Sequence, residues 1–443
     1  MMKVFFVSLG CDKNRVDSEN MLGLLNSAGF SFTDDAEDAD IIIINSCCFI
    51  DDAKIESIDT ILEMAEYKEY GLCKYLIVAG CLSERYKDEF SLQFPEVDAI
   101  IGTNEPEKLL EQIKELLEQD EASDGKFNFD KNDLENSSRI ITTPGHYEFL
   151  KIADGCNKMC TYCIIPYIRG RYVSYPMDKL YNEAKALAEN GVTELIIVAQ
   201  ESSIYGSDLY GSCKLPELLK KLCSIEKLKW IRLLYCYPED ITDELLELIA
   251  SEDKICKYID MPIQHASDPV LKRMGRKTTI SNIRNIISKA RSVVPGIVLR
   301  TTIISGFPGE TEEDHKAVLD LVKEIRFDRL GVFTYSAEEG TPAEKFPDQI
   351  DDEVKKSRRD EIMSEQELIS YENLTSCISH IYDVIVDGYL ADEDVYVGRT
   401  YMDAPEVDGA VFFKSDRNLY TGDYVRCEII NCSNYDLYGE VIE

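Results

Sequence analysis

Short apolar runs alternate with longer segments, some with helical spacing, over residues 1–118. Each run is about the length of a strand, and segments of 19 to 31 residues separate the runs, which are Val4–Leu9, Ile41–Ile44, Tyr75–Ala79 and Ala99–Ile101. Strands that alternate with helices are typical of βα units around a parallel sheet. The pattern therefore predicts an N-terminal parallel-sheet α/β domain.

The same alternation resumes over residues 142–375, the second predicted domain. Helical patterns such as Met177–Asn190 and Glu312–Ile325 lie between six strand candidates: Tyr147–Ile152, Glu194–Ala199, Ile231–Tyr235, Tyr258–Met261, Ile297–Ile304 and Gly331–Tyr335. A charged helix over residues 351–375 ends the region. Six βα units in series predict a partial (β/α)6 barrel with its site in the loops after the strands.

Two further segments have neither of these patterns. Residues 119–141 are rich in Asp, Glu, Asn and Ser without periodicity, which predicts a linker. Residues 376–443 are rich in strand-forming residues, with turn signals such as Asp387-Gly388 and Asp408-Gly409. This C-terminal segment is predicted to be a small all-β barrel, which makes the whole chain an α/β protein of three domains.

Charge and cysteine content narrow the classes of function. The 443 residues carry a formal net charge of −35, which disfavours binding of DNA or RNA and would attract a basic protein. General solubility or a halotolerant proteome explains the acidity equally well. No apolar run approaches the ~20 residues of a membrane span, so a cytoplasmic protein without a membrane partner is expected. Fifteen cysteines in such a chain indicate metal binding or chemistry more than disulfides.

Three of these cysteines, Cys156, Cys160 and Cys163, fall within eight residues directly after a predicted strand. One loop of this kind can wrap a compact iron–sulfur cluster, which normally has four cysteine ligands. Three ligands leave one iron open, as a catalytic site needs. The alternative is a structural zinc site, for which His146 is the nearest histidine that could serve as fourth ligand.

The Cys-x3-Cys-x2-Cys spacing, with the aromatic Tyr162 before the last cysteine, resembles the signature of the radical S-adenosylmethionine superfamily. The resemblance implies a [4Fe-4S] cluster whose open iron binds S-adenosylmethionine and whose electron cleaves it to a radical. The strand ending at Gln200 and the turn in the segment Arg300–Glu310 resemble cofactor-contacting stretches of that superfamily. The cofactor-binding residues implied are Tyr162, Gln200, Arg300, Gly306 and Glu310.

A second set of cysteines is dispersed along the first domain. Cys11, Cys47 and Cys81 each follow a predicted strand by one to three residues. If the sheet is parallel, the three strand ends share one edge and the thiols can converge. The alternative is that these residues are small buried hydrophobes, a common role of cysteine. Cys48 competes with Cys47, since one step along the chain reverses the direction of the side chain.

The segments around these cysteines, Gly10–Glu19, Asn45-Ser46-Cys47 and Gly80–Tyr86, resemble the N-terminal domain of the methylthiotransferase family. The resemblance covers essentially the whole chain, and the C-terminal segment is similar to the TRAM module of that family. It implies a second [4Fe-4S] cluster, held by Cys11, Cys47 and Cys81, that carries sulfur to the substrate. Position 48 is a cysteine in this chain, whereas the family usually has a glycine at this position.

The family has one branch that modifies adenosine in transfer RNA and another that modifies an aspartate β-carbon in small-subunit ribosomal protein S-twelve. Cys11-Asp12-Lys13-Asn14, Trp230–Tyr235 and Asp403–Gly409 resemble the protein-modifying branch. From His380 onward the chain has four Lys or Arg against fourteen Asp or Glu, a poor surface for RNA and a good one for a basic protein. An electron donor such as flavodoxin or ferredoxin is also implied. The transfer-RNA enzyme and a non-catalytic iron–sulfur carrier remain the alternatives.

Overall fold

The structure, a computed structural model, describes residues 2–103, 105–119 and 138–442. Most of the predicted linker, residues 120–137, lies outside the described residues. By their internal contacts, the described residues form two compact units. The first comprises residues up to 142 with 154–157 and 163–171, and the second comprises residues 143–153, 158–162 and 172 onward.

The first unit is built on a five-stranded parallel sheet with the strand order β2-β1-β3-β4-β5. Its strands are β1 (Lys3–Ser8), β2 (Ser31–Phe32), β3 (Ile41–Ser46), β4 (Tyr75–Gly80) and β5 (Ala99–Ile101). The central strands β3 and β4 are buried throughout, which explains their unbroken apolar runs. The predicted parallel sheet is confirmed. Strand β2 was not predicted, because two residues carry no detectable alternation.

Helices connect these strands and cover the sheet. They are α1 (Asp12–Ser27), α2 (Asp51–Tyr70), α3 (Cys81–Arg85), α4 (Lys87–Gln93) and α5 (Glu107–Gln119), with α6 (Ile165–Ile168) joining from the later chain segment. Two apolar clusters result. One includes Leu25 and Ile113, and the other includes Ile61 and Phe90. Helix α6 contributes Ile168 to the second cluster, so this part of the later segment is held by burial of apolar surface.

The second unit contains an all-parallel six-stranded sheet in the order β13-β12-β11-β10-β9-β6, open at its two edges. Its strands are β6 (Tyr147–Lys151), β9 (Glu194–Val198), β10 (Trp230–Leu233), β11 (Ile255–Asp260), β12 (Val298–Ser305) and β13 (Arg329–Thr334). A separate two-stranded sheet is formed by β7 (Ala153–Asp154) and β8 (Val173–Ser174). The six predicted strands are all present, with ends that differ by a few residues.

The helices of this unit alternate with the strands as predicted. They are α7 (Met177–Glu189), α8 (Leu215–Cys223), α9 (Asp243–Ser251), α10 (Asp268–Arg273), α11 (Ile280–Val293), α12 (Glu312–Ile325) and α13 (Asp352–Thr375). Local sequence sets several helix ends. Helix α12 begins in a capping box between Thr311 and Asp314, and Gly191, with a φ of +112°, follows the end of α7.

The C-terminal segment forms a closed barrel in the order β14-β15-β16-β18-β17. Its strands are β14 (Ile381–Leu390), β15 (Val395–Arg399), β16 (Val411–Lys414), β17 (Tyr424–Cys432) and β18 (Leu437–Val441). The prediction of a small all-β barrel is therefore confirmed. No helix in the described part of the chain is long and apolar enough to cross a bilayer.

Candidate functional site

The cysteines Cys11, Cys47 and Cys81 all lie at the carboxyl edge of the first sheet. Strands β1, β3 and β4 are adjacent and parallel, and each ends one to three residues before its cysteine. Cys47 and Cys81 are buried, whereas Cys11 is exposed. The edge where parallel strands end is the usual ligand site of such a sheet. The placement expected from the sequence is therefore observed.

Asn14, in the first turn of α1, connects the three cysteine-bearing loops. Its amide nitrogen donates to the carbonyl oxygens of Leu9 and Ser46 at 3.1 and 3.0 Å. These carbonyls lie close before Cys11 and Cys47 in the chain. Its amide oxygen accepts a hydrogen bond from the Cys81 thiol, with a sulfur–oxygen distance of 3.7 Å. One side chain thus sets the relative positions of all three loops.

The guanidinium of Arg169 is buried beside Asn14. It donates to the Asn14 amide oxygen, to Asp17 Oδ2 at 3.1 Å and to Asp154 Oδ1 at 3.0 Å. Burial raises the pKa of the Cys81 thiol, and the positive charge of Arg169 opposes that shift. A nearby guanidinium favours thiolate, the form of cysteine that binds metal.

The charges of the three thiols also influence one another. Cys11 and Cys47 both raise the pKa of Cys81 by repulsion between like charges, after burial as the main cause. Within the described ranges, however, no three His, Cys, Asp or Glu side chains already stand in the arrangement of a bound metal ion. Three free thiols with a buried cation fit the donor set of an iron–sulfur cluster. Their role as ligands stays a prediction.

The structure distinguishes Cys47 from Cys48. A Cβ atom added at Gly10 would lie 2.9 Å from the Cys47 sulfur, so this thiol faces the turn that carries Cys11. Cys48 is fully buried among apolar side chains such as Ile44 and Leu82, in a cluster that also contains Cys81. The position of the Cys47 sulfur beside the turn that carries Cys11 therefore favours Cys47 as the ligand.

The second set of cysteines occupies the loop between β7 and α6. Cys156 and Cys160 are buried, and Cys163 is partly exposed. The loop begins at Gly155, which has a φ of +70°; a Cβ atom added there would lie 2.2 Å from the Arg171 carbonyl oxygen, so a larger residue is excluded. The Cys156 amide then donates to the Gly170 carbonyl at 3.2 Å. These contacts give the loop a defined path.

The middle of this loop, residues 158–162, belongs to the second unit. The Thr161 amide donates to the Met274 carbonyl at 2.9 Å, and the Thr161 carbonyl accepts from the Ala343 amide at 2.9 Å. The neighbouring Tyr162 makes an edge-to-face contact with Phe307, with ring centroids 6.4 Å apart. Tyr162 therefore lies beside the turn that follows β12, as the sequence resemblance would require. Its contact with a cofactor stays a prediction.

Glu310 organises that turn. Its Oε2 atom accepts from the backbone amides of Gly306 and Phe307 at 2.8 and 3.3 Å, and His265 Nε2 lies 3.3 Å away. Its Oε1 atom accepts from Arg358 at 2.8 Å. Burial acts to raise the pKa of Glu310, but these hydrogen bonds and charges hold it below its usual value. The Glu310 carboxylate thus shapes the turn through four protein groups.

The other two predicted cofactor-binding residues differ in their surroundings. Gln200 follows the end of β9, and its buried Oε1 atom has no hydrogen-bond partner in the part of the chain that the structure describes. Arg300 lies early in β12, where it pairs with Asp260 Oδ1 at 2.8 Å and Asp408 Oδ1 at 3.5 Å. Gln200 is thus available to a ligand, whereas Arg300 is bound to two carboxylates of the protein. Both roles remain predictions.

Sequence reasoning missed a polar cluster at the strand ends of the second unit. The ammonium of Lys158 contacts Glu201, Glu239 and Asp240, at 3.3 and 3.2 Å for the first two. Burial raises the pKa of Glu201 to about 7, against the opposing effect of Lys158. These carboxylates come from loops after β9 and β10, so only the folded structure brings them to the lysine. The position of Lys158 inside the cysteine motif was the one available signal.

Comparison with known proteins agrees with this architecture. Residues 3–102 match Uncharacterized protein family UPF0004, residues 150–322 match the Radical SAM superfamily, and residues 378–442 match the TRAM domain. Among solved structures, the radical S-adenosylmethionine methyltransferase TsrM from Kitasatospora setae has a TM-score of 0.57 at 14% identity, covering 77% of this chain and 74% of that chain. The cobalamin-dependent S-adenosylmethionine radical enzyme OxsB has a TM-score of 0.54 at 16% identity, with 83% and 56% covered. These two show a shared fold.

Curated relatives are much closer in sequence. A protein of Lachnoclostridium phytofermentans named "Ribosomal protein uS12 methylthiotransferase RimO" is 52% identical over 438 residues, which cover 99% of both chains. Proteins of the same name from Acetivibrio thermocellus and Clostridioides difficile are 50% and 48% identical, again over at least 98% of each chain. The chain therefore belongs to the RimO family of radical S-adenosylmethionine methylthiotransferases.

Proposed function

We propose that this protein transfers a methylthio group to the β-carbon of an aspartate in ribosomal protein uS12. The substrate follows from the name of the relatives that match over their whole length. The observation that carries the proposal is the convergence of three loops, each with a cysteine, on the side chain of Asn14. This second thiol-rich site fits the sulfur-carrying cluster that the resemblance to the methylthiotransferase family implies. The acidic chain suits a basic ribosomal protein as partner, and a ribosomal substrate suits the cytoplasm as location.

In this proposal Cys156, Cys160 and Cys163 hold one [4Fe-4S] cluster, and Cys11, Cys47 and Cys81 hold another. When bound, the first cluster and S-adenosylmethionine supply a radical able to remove hydrogen from an unactivated carbon, with an electron from a donor such as flavodoxin or ferredoxin.

The chain's own residues supply position and charge. Asn14 positions the loops that carry the strand-end thiols, and the positive charge of Arg169 favours the anionic form of Cys47 and Cys81. Tyr162, Gln200, Gly306 and Glu310 shape the cofactor site at the strand ends, and Gly306 is required there because a Cβ would lie 2.2 Å from Lys355 Cγ. Arg300 is also proposed to bind the cofactor, and to do so its guanidinium would have to release Asp260 or Asp408.

A deletion strain tests the proposal against the transfer-RNA alternative. Mass spectrometry of uS12 should show loss of the mass that is added when one methylthio group replaces a hydrogen, while methylthiolated adenosine in transfer RNA stays at its wild-type level. Plasmid-borne wild-type protein should restore the modification of uS12, and the variant Cys81→Ala should not, because a cluster ligand is missing. Loss of the transfer-RNA modification with intact uS12 would contradict the proposal.

A further inference from the structure

Arg276 is a buried cation that the proposed chemistry does not yet use. It follows α10 in the segment Met274-Gly275-Arg276, and 6% of its surface is exposed. Its Nη2 atom donates to the Pro262 carbonyl at 2.9 Å. Its Nε and Nη1 atoms are buried without a hydrogen-bond partner among residues 2–103, 105–119 and 138–442. Buried charges in proteins are normally paired, so this guanidinium has capacity for a ligand.

Arg276 lies among the loops that follow the carboxyl ends of the strands of the six-stranded parallel sheet. Met274, two residues before it, is hydrogen-bonded through its carbonyl to Thr161, between Cys160 and Cys163. The guanidinium lies over the ring of Tyr237, 4.1 Å from its centroid, in the loop after β10. Pro262, its carbonyl partner, lies two residues after the end of β11. Active sites of parallel barrels are built from such loops.

The two free donors, Nε and Nη1, belong to the rigid planar fork of arginine, which favours oxygen anions such as carboxylates. Among the acidic side chains of the neighbouring loops, Glu201, Glu239 and Asp240 contact Lys158, and none of the three accepts a hydrogen bond from Arg276. The free atoms therefore point to an anionic group that comes from outside the chain.

We propose that Arg276 binds the side-chain carboxylate of the target aspartate. This inference rests on the proposed function, in which the reacting carbon is the one next to that carboxylate. A guanidinium that binds this carboxylate would hold the neighbouring β-carbon beside the loop that carries Cys160. It would also make the protein prefer aspartate over asparagine at the target position. S-adenosylmethionine is the other carboxylate in the reaction, but the resemblance to the superfamily implies that its carboxylate would bind the open iron.

The test compares uS12 with a uS12 variant that has asparagine at the target position. Calorimetric titration into reconstituted protein without a reductant measures binding in the absence of chemistry. Wild-type protein should bind the aspartate form at least about tenfold more tightly, because a buried charge pair is lost in the asparagine form. In Arg276→Gln the ratio of the two affinities should fall to near one. Affinity for S-adenosylmethionine, measured by equilibrium dialysis, should stay within about twofold.

Arg276→Lys provides the second variant, because it keeps the charge while losing the fork. It should retain a preference for aspartate that is weaker than in wild type. Persistence of the full preference in Arg276→Gln, or a loss confined to binding of S-adenosylmethionine, would overturn the assignment. If wild-type protein modifies neither form of uS12, the proposed function itself fails. That outcome is distinct, because an error about Arg276 alone leaves wild-type modification intact.

Discussion

Replacement of Cys160 by alanine should reduce reductive cleavage of S-adenosylmethionine to the background rate. Cys160 is the middle cysteine of the motif, and two thiolates cannot hold a cluster that needs three. The measurement is the yield of 5′-deoxyadenosine after anaerobic reconstitution and addition of dithionite. This is the largest effect on activity that we expect from a single substitution.

Cys223→Ala is the matched control for this experiment. Cys223 ends α8, is partly exposed and lies outside both predicted sets of ligands. Its removal should leave the yield of deoxyadenosine unchanged within about twofold, since surface substitutions seldom alter a distant site. Deoxyadenosine at the wild-type level in Cys160→Ala would refute the assignment of the motif.

Replacement of Arg232 by methionine should lower the free energy of unfolding by about 3–5 kcal/mol. Arg232 is fully buried, with Nε donating to Glu194 Oε1 at 2.8 Å and Nη1 donating to the Tyr401 carbonyl at 2.7 Å. Glu194 is fully buried as well. Burial acts to raise the pKa of Glu194, but Arg399 and Arg232 together hold that pKa below its usual value. Methionine would leave one carboxylate oxygen of Glu194 buried without this partner.

The exposed pair Arg284–Glu324 is the control for that prediction. Its guanidinium and carboxylate lie 2.7 Å apart, but both side chains are more than two-fifths exposed. Arg284→Met should therefore cost only about 0–1 kcal/mol. Denaturant titrations followed by circular dichroism measure both variants. Equal losses in the two variants would show that burial of the Arg232 pair contributes nothing extra.

The positions of the strands could be predicted because a buried strand consists of a run of apolar residues, which is visible in the sequence. The run Ile41–Ile44 belongs to a strand buried on both faces, and the cysteines that follow β1, β3 and β4 could be placed at one edge once the sheet was taken as parallel. Short elements such as β2 contain too few residues to show such a run. The end of β10 was predicted two residues too late, because apolar residues continue into the adjoining loop. The start of β11 was predicted three residues too late, because Lys257 interrupts its apolar run.

The polar networks could not be predicted, since their members are far apart in sequence. Arg169 contacts Asn14 across a separation of 155 residues, and Tyr258 donates to Asp408 across 150 residues. No periodic pattern in the sequence indicates which distant residues pair in the fold. The sequence marked the segment around Asp408 as a turn and by resemblance, and in the structure the Asp408 carboxylate contacts Arg300 and Tyr258. Contacts of this kind become visible only when the fold is known.

The central claim is that each set of three cysteines holds its own cluster, and the most direct test is the content of iron and sulfide per chain after anaerobic reconstitution. Wild-type protein should contain twice the iron of a variant lacking Cys11, Cys47 and Cys81, and twice that of a variant lacking Cys156, Cys160 and Cys163. Cys48→Ala should retain the wild-type amount, because the thiol that faces the turn carrying Cys11 is that of Cys47. Equal iron in wild type and in either triple variant, or zinc in place of iron, would contradict the account.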